Sequence, residues 1–192
     1  MPEAHRRLKQ PQQIRSQLLA VVRDLLVHEG PHAVTLDAVA RQANVTKGGL
    51  QHHFRSKQAL LDTLSEQLLE EFSLSYENAL RLEADTPGRH ARAYIRTCFD
   101  DHAGCDQADT LRAIGLLALT SPTCRERWHA IMKEALAADG QDTHTANLLL
   151  ACRLAGDGFW FAQMLDVYEL DAQRKASLLE LLLKLCGGEA QP

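Results

Sequence analysis

Apolar residues recur at intervals of three and four along almost the whole 192-residue chain, and this spacing is the strongest limit on what it can fold into. Such intervals place apolar side chains on one face of a helix, whereas a half-buried strand needs strict alternation, and no extended β-branched alternation is present. The six prolines fall mainly between the periodic runs. The chain therefore reads as all-α. From about Pro11 to His28, the residues Ile14, Leu18, Val21, Val22, Leu25 and Leu26 share one stripe, which Gly30-Pro31 terminates. Thr35 stands where an N-cap belongs, ahead of a short second helix to about Gln42, with Asp37 placed to complement the helix dipole. Thr46 caps a third short helix through about His53, and Ser56 caps a long fourth helix from near Lys57. Further helices are expected near 57–83, 88–103, 107–119, 122–138, 143–166 and 171–186, with breaks at Thr86-Pro87-Gly88, Ser121-Pro122 and Asp139-Gly140.

Composition removes several classes. No apolar run approaches the roughly 20 residues that span a bilayer, and the N-terminal MPEAHRRLKQPQQ has charge but no apolar core, so a cytoplasmic chain without membrane association is expected. The five cysteines (Cys98, Cys105, Cys124, Cys152, Cys186) are odd in number and form no C-x-x-C pair, so reduced thiols are the default. There is no phosphate-binding glycine loop, G-x-S-x-G elbow, H-E-x-x-H or arguable carboxylate pair, which leaves an enzyme with an unrecognised site as the reading of another class. The net charge of −4 conceals an asymmetry: residues 1–57 hold nine Lys and Arg against four Asp and Glu, an excess of +5 that leaves −9 for the rest. A basic head on an acidic body orients an approach to DNA phosphates.

The decisive segment is TLDAVARQANVTKGGLQHHFRSKQALL, from Thr35 to Leu61, in which two short helices meet across a three-residue turn. Ala40 and Ala43 allow close approach, Val39 and Val45 fill the corner, and Leu50 and Phe54 turn the back of the second helix inward. Lys47, Gly48, Gln51 and His52 are left on the outer face, as on a helix that enters a major groove. From Thr35 to Lys57 the segment meets, in order, the pattern T-x-x-x-V-A-x-x-A-x-V-[ST]-x-G-x-[LI]-x-x-H-F-x-[SN]-K, and it closely resembles the TetR family of transcription regulators. Two positions depart from that pattern. Asn44 replaces the usual turn glycine, and asparagine best tolerates a left-handed backbone. Gln51 replaces a frequent aromatic, and its amide suits adenine N6/N7, so operator sequence does not carry over.

The resemblance implies an N-terminal three-helix helix-turn-helix domain with a short arm (residues 1–57) and a C-terminal helical domain for ligand sensing and dimerisation (residues 58–192). Thr35 and Thr46 are candidates for phosphate contacts, and Lys57 resembles the family's phosphate-clamping lysine. Lys47, Gln51 and His52 are candidate base readers, and Gly48 beside Gly49 permits close backbone approach. His53 is either a DNA contact or a packed residue, and Arg6, Arg7 and Lys9 either an arm along the DNA or a basic tail.

In the C-terminal part, Leu148, Cys152, Ala155 and Phe159, with the leucines at 178, 179, 181, 182, 183 and 185, supply more apolar surface than a lone terminal helix should expose. Homodimerisation through these residues is expected, with Leu178, Leu182 and Leu185 facing the mate; the same leucines would also serve a monomer's core. Phe99, His102, Trp128, Met132, Trp160 and Gln163 are candidates for a pocket that takes a small, largely apolar effector, with no cofactor. A rival reading takes Cys98, His102 and Cys105, at i, i+4 and i+7, as ligands for zinc or as a thiol sensor, with Cys124 and His129 as possible additions. The function expected is a repressor that occupies a palindromic double-stranded operator as a dimer and is released by its effector.

Overall fold

The computed structural model describes residues 3–99, 106–139 and 143–187. These form nine helices and no strand: α1 (Glu3–His28), α2 (Leu36–Gln42), α3 (Lys47–His53), α4 (Lys57–Leu82), α5 (Arg89–Phe99), α6 (Asp106–Thr120), α7 (Pro122–Ala137), α8 (Thr143–Met164) and α9 (Ala172–Cys186). Two compact units result. The first holds α1, α2, α3, α4 through Leu68, and Ala113–Arg125 of α6 and α7. The second holds α4 from Leu69, α5, α6 through Arg112, α7 from Glu126, α8 and α9.

In the first unit α1, α2 and α3 pack on one another. Its core collects Leu18, Val22, Leu25 and Leu26 from α1, Val39 and Ala40 from α2, Leu50 from α3, and Leu60 and Leu64 from α4, all buried. Each large aliphatic side chain removed from water in this way contributes about 1.5–3 kcal/mol before the entropy of ordering it is subtracted. Gly30 takes φ 85 after α1, a left-handed position that suits glycine at a helix end.

In the second unit α5 packs on both α8 and α9. Phe72 is fully buried, with ring centroids 4.8 Å from Trp128 and 6.3 Å from Tyr94. The loop between α4 and α5 is held from within by Arg92, whose guanidinium donates to the Pro87 carbonyl at 2.9 Å, the Thr86 hydroxyl at 2.9 Å and the Glu83 carboxylate at 2.7 Å. Gly88 in that loop has φ 80, and a Cβ there would lie 2.3 Å from the Cys186 carbonyl oxygen, so no other residue fits. A buried ion pair joins Arg153 of α8 to Asp139 after α7 at 2.6 Å, and the second Asp139 oxygen accepts from the Ala91 amide of α5 at 3.0 Å.

Among the described residues, helix boundaries differ from the sequence expectation by more than one residue at two places, and the end expected at 103 for the fifth helix lies outside them. Helix α1 begins at Glu3 with Pro11 inside it, whereas proline, lacking an N–H, reads in sequence as a first-turn residue. Helix α8 stops at Met164, because Asp166 takes φ 50 and the Val167 amide donates back to the Ala162 carbonyl at 3.0 Å, closing a Schellman turn two residues early.

Candidate functional site

The turn between α2 and α3 is built by backbone geometry that the sequence encodes residue by residue. After α2 the chain passes through Asn44 at φ 54, the Val45 amide donates to the Ala40 carbonyl at 2.9 Å, and the Asn44 amide to the Arg41 carbonyl at 3.2 Å. This is a Schellman cap with asparagine in the position that glycine usually takes. It leads directly into Thr46, whose hydroxyl oxygen accepts from the Gly49 amide at 3.0 Å and starts α3. Thr35 caps α2 in the same way, accepting from the Ala38 amide at 3.1 Å, and Ser56 caps α4 through the Ala59 amide at 3.1 Å. Each cap is worth about 1 kcal/mol. A side chain at position 49 would bring its Cβ within 3.2 Å of the Thr46 hydroxyl, whereas Gly48 faces open space. Gly49 therefore serves the cap, and Gly48 leaves the helix surface bare.

With Leu50 and Phe54 buried, α3 is fixed in rotation, and Lys47, Gly48, Gln51 and His52 are exposed while His53 is half-buried against the His52 ring edge. The expected outer face is thus brought together on one short helix. The Arg15 guanidinium lies 4.5 Å from the centre of the Phe54 ring and reaches the Thr63 hydroxyl, and Gln17 donates to the Ala43 carbonyl at 3.0 Å, so α1 braces the turn from behind. Two candidate DNA residues already have partners. The Lys47 ammonium sits 2.9 Å from the Asp37 carboxylate across the exposed ends of α2 and α3, and the Lys57 ammonium donates to the Pro31 carbonyl at 3.2 Å. Sequence reading assigned Asp37 only a helix-dipole role; its position ten residues before Lys47 shows nothing until the turn folds.

Among the described residues, two cavities of the second unit bear on the expected pocket. One of ≈ 140 Å³ is lined by Cys98, Ala108, Asp109, Arg112, Phe159, Trp160, Gln163 and Met164, and a more open one of ≈ 340 Å³ by Trp128, Asp157, Gly158, Trp160 and Phe161. Trp160 and Gln163 among the expected pocket residues line the first, and Trp128 and Trp160 the second. Phe99 is buried and stacks on Phe159 with centroids 3.7 Å apart, behind the first cavity's lining, and Met132 is half-buried and lines neither. His102 lies outside the described residues. Asp109 and Arg112 escaped sequence reasoning, although opposite charges three residues apart just ahead of the apolar run at 113–119 were the signal available.

The thiol reading loses its geometry in part. Cys98 is buried, and desolvation pushes its thiol well above the usual range, which suppresses the thiolate that metal binding or oxidation requires. Cys105 and His102 lie outside the described residues, Cys124 is buried, and His129 is exposed. No cluster of three His, Cys, Asp or Glu fit to hold a metal occurs among the described residues. No described helix is long and apolar enough to cross a membrane.

Of the expected dimer residues, Ala155 is exposed and Leu148, Leu178, Leu182 and Leu185 are half-buried. Cys152 and Phe159 turn inward: Cys152 is 2% exposed and Phe159 is stacked on Phe99. The exposed apolar stripe of α8 is instead Leu150, Leu154 and Phe161, continued by Leu165, which recur at helical spacing around the bare Gly158.

Comparison with known proteins agrees with this architecture. Residues 18–64 match the model of the tetR family of bacterial regulatory proteins, and residues 88–187 match a tetracyclin repressor-like C-terminal domain. The HTH-type transcriptional regulator BetI of Pectobacterium atrosepticum is 30% identical over 102 residues, 53% of this chain and 50% of BetI, so the chain spans about half the length of that relative. The HTH-type transcriptional repressor KstR2 of Rhodococcus jostii is 25% identical over 77% of each chain. Among solved structures, the multidrug binding protein EbrR complexed with malachite green superposes with a TM-score of 0.61 at 23% identity, covering 89% of this chain and 96% of EbrR. The two family matches together take in both the α2–α3 turn and the C-terminal helices, and the chain belongs to the TetR family of transcriptional regulators, which are not enzymes.

Proposed function

We propose that the chain is a ligand-responsive repressor, binding a palindromic operator as a homodimer and leaving it when a small, largely apolar molecule occupies the second unit. The observation that carries this reading is the exposed face of α3, held in one rotation by a Schellman turn, two threonine caps and the buried Leu50 and Phe54. Residues 1–57 read the DNA. Lys47, Gln51 and His52 contact base edges, Gly48 admits the backbone close to the groove, and the Thr35 and Thr46 hydroxyls, His53 and Lys57 contact the sugar-phosphate backbone. Residues 58–192 dimerise and sense. The mate's contact runs along the exposed stripe of α8 and the leucines of α9, of which Leu181 is more than half exposed.

A dimer reads two half-sites when its reading helices lie about 34–36 Å apart, one turn of DNA. An effector releases the operator only by binding more tightly to a dimer whose heads depart from that spacing. Repression and small-molecule response are supported by KstR2, a repressor, and EbrR, a multidrug binding protein. The test is to recover and sequence genomic fragments bound by the purified protein. An inverted repeat with half-sites one turn apart is expected, and recovery of no enriched sequence overturns the reading.

A further inference from the structure

The smaller cavity of the second unit carries an unusual polar defect. The Nε–H of Arg112 and the Nε1–H of Trp160 are both buried without a hydrogen-bond partner, and both residues line this one space. Buried donors are almost always paired, because leaving one dry costs its desolvation energy. Two buried, unpaired donors on different helices, α6 and α8, in residues that line one cavity mark a place where an acceptor belongs. The remaining wall supplies the apolar faces of Phe159 and Met164, with the Gln163 amide beside them. At ≈ 140 Å³ the space matches one small ring, since a cavity of about 150 Å³ holds benzene. Each nitrogen is closed off from the solvent, so an entering molecule must shift a wall side chain, and the unbranched thioether of Met164 moves at little cost.

Resting on the ligand-responsive reading above, we infer that this cavity takes a small molecule with an apolar body and an oxygen-acceptor head, a carbonyl or a carboxylate, which Arg112 and Trp160 bind together. A cationic head brings only donors and would face the Arg112 charge. Asp109 in the same lining repels a second negative charge, which limits the head to a single carboxylate at most.

Four probes of equal body and different head decide this: benzoate, acetophenone, toluene and benzylammonium, titrated calorimetrically into the full-length protein. Benzoate or acetophenone is expected to bind at least about ten-fold more tightly than toluene or benzylammonium, the scale of one or two hydrogen bonds to a charged or buried donor. Which of the two binds better separates carboxylate from carbonyl. Trp160→Phe keeps an aromatic ring and removes the N–H, and Arg112→Met keeps an unbranched side chain and removes the guanidinium. Each should reduce the preference of benzoate or acetophenone over toluene about ten-fold, and if one variant fails to fold the other still decides. Equal affinity for all four heads, or a preference that survives a folded variant, overturns the assignment. Binding by none of them means that water serves the two donors, and overturns it too. Release of upstream DNA is measured separately: a probe that binds with this preference yet leaves DNA affinity unchanged overturns the ligand-responsive reading and not the acceptor site.

Discussion

A lysine that meets a phosphate and a glutamine that meets a base edge obey different physics, and the roles proposed for Lys57 and Gln51 can be told apart by it. Lys57 stands at the start of α4, exposed, with its ammonium on the Pro31 carbonyl. Lys57→Ala should weaken binding to every operator variant nearly equally and flatten the salt dependence by about one counterion for each phosphate left unneutralised. Gln51 is exposed in the middle of the α3 face, where its amide offers a donor and an acceptor side by side. Gln51→Ala should cost roughly 1–3 kcal/mol at one base pair and relax the preference there. Titrations across salt and across single-base operator variants separate these outcomes. A uniform loss on Gln51→Ala would make it a positioning residue.

Between elements, charge does more of the joining than the sequence discloses. Glu83, just past α4, accepts from Arg92 and Arg96 of α5. Burial pushes its carboxyl upward, but the hydrogen bonds from Arg96 and Arg92 outweigh it and hold the group below the usual glutamate range. A carboxyl depressed by folding stabilises the fold above its unfolded pKa of about 4.3, and that contribution disappears as pH falls through the lower folded value. Acid unfolding should therefore include a component below about pH 4.3 that Glu83→Gln removes, visible as a flatter dependence of the urea midpoint on pH. Helix order, the caps at Thr35, Thr46 and Ser56 and the left-handed Asn44 were all legible, because each is settled between one side chain and the backbone beside it. The pairs Arg153 with Asp139 and Lys47 with Asp37 were not, since their partners lie on different elements and no periodicity links them. The inward turn of Cys152 and Phe159 was missed for a related reason: α8 is apolar on more than one side, so spacing alone could not say which stripe faces α5.

For the molecule as a whole, the stripe Leu150, Leu154, Phe161 and Leu165 offers the apolar surface on which a second copy would pack. Leu154→Glu combined with Phe161→Glu should yield monomers in sedimentation with weakened operator binding, whereas Ala replacement of the inward Cys152 should leave the dimer intact at some cost in stability. An unchanged dimer in the double variant would move the interface elsewhere. The ion pair between Lys47 and Asp37 bears on the same molecule's life among millions of wrong sequences. In the free protein this lysine is already neutralised, and any DNA that recruits it must first detach it from a carboxylate. An exposed pair of this kind is worth about 0.2–1 kcal/mol, at most a few-fold in affinity. That small penalty falls on correct and incorrect sites alike wherever Lys47 is recruited, so it lowers affinity without changing preference. Asp37→Asn should accordingly tighten binding to operator and random DNA by similar factors of at most a few-fold, read from parallel titrations, and the protein would dwell longer on every wrong sequence it meets.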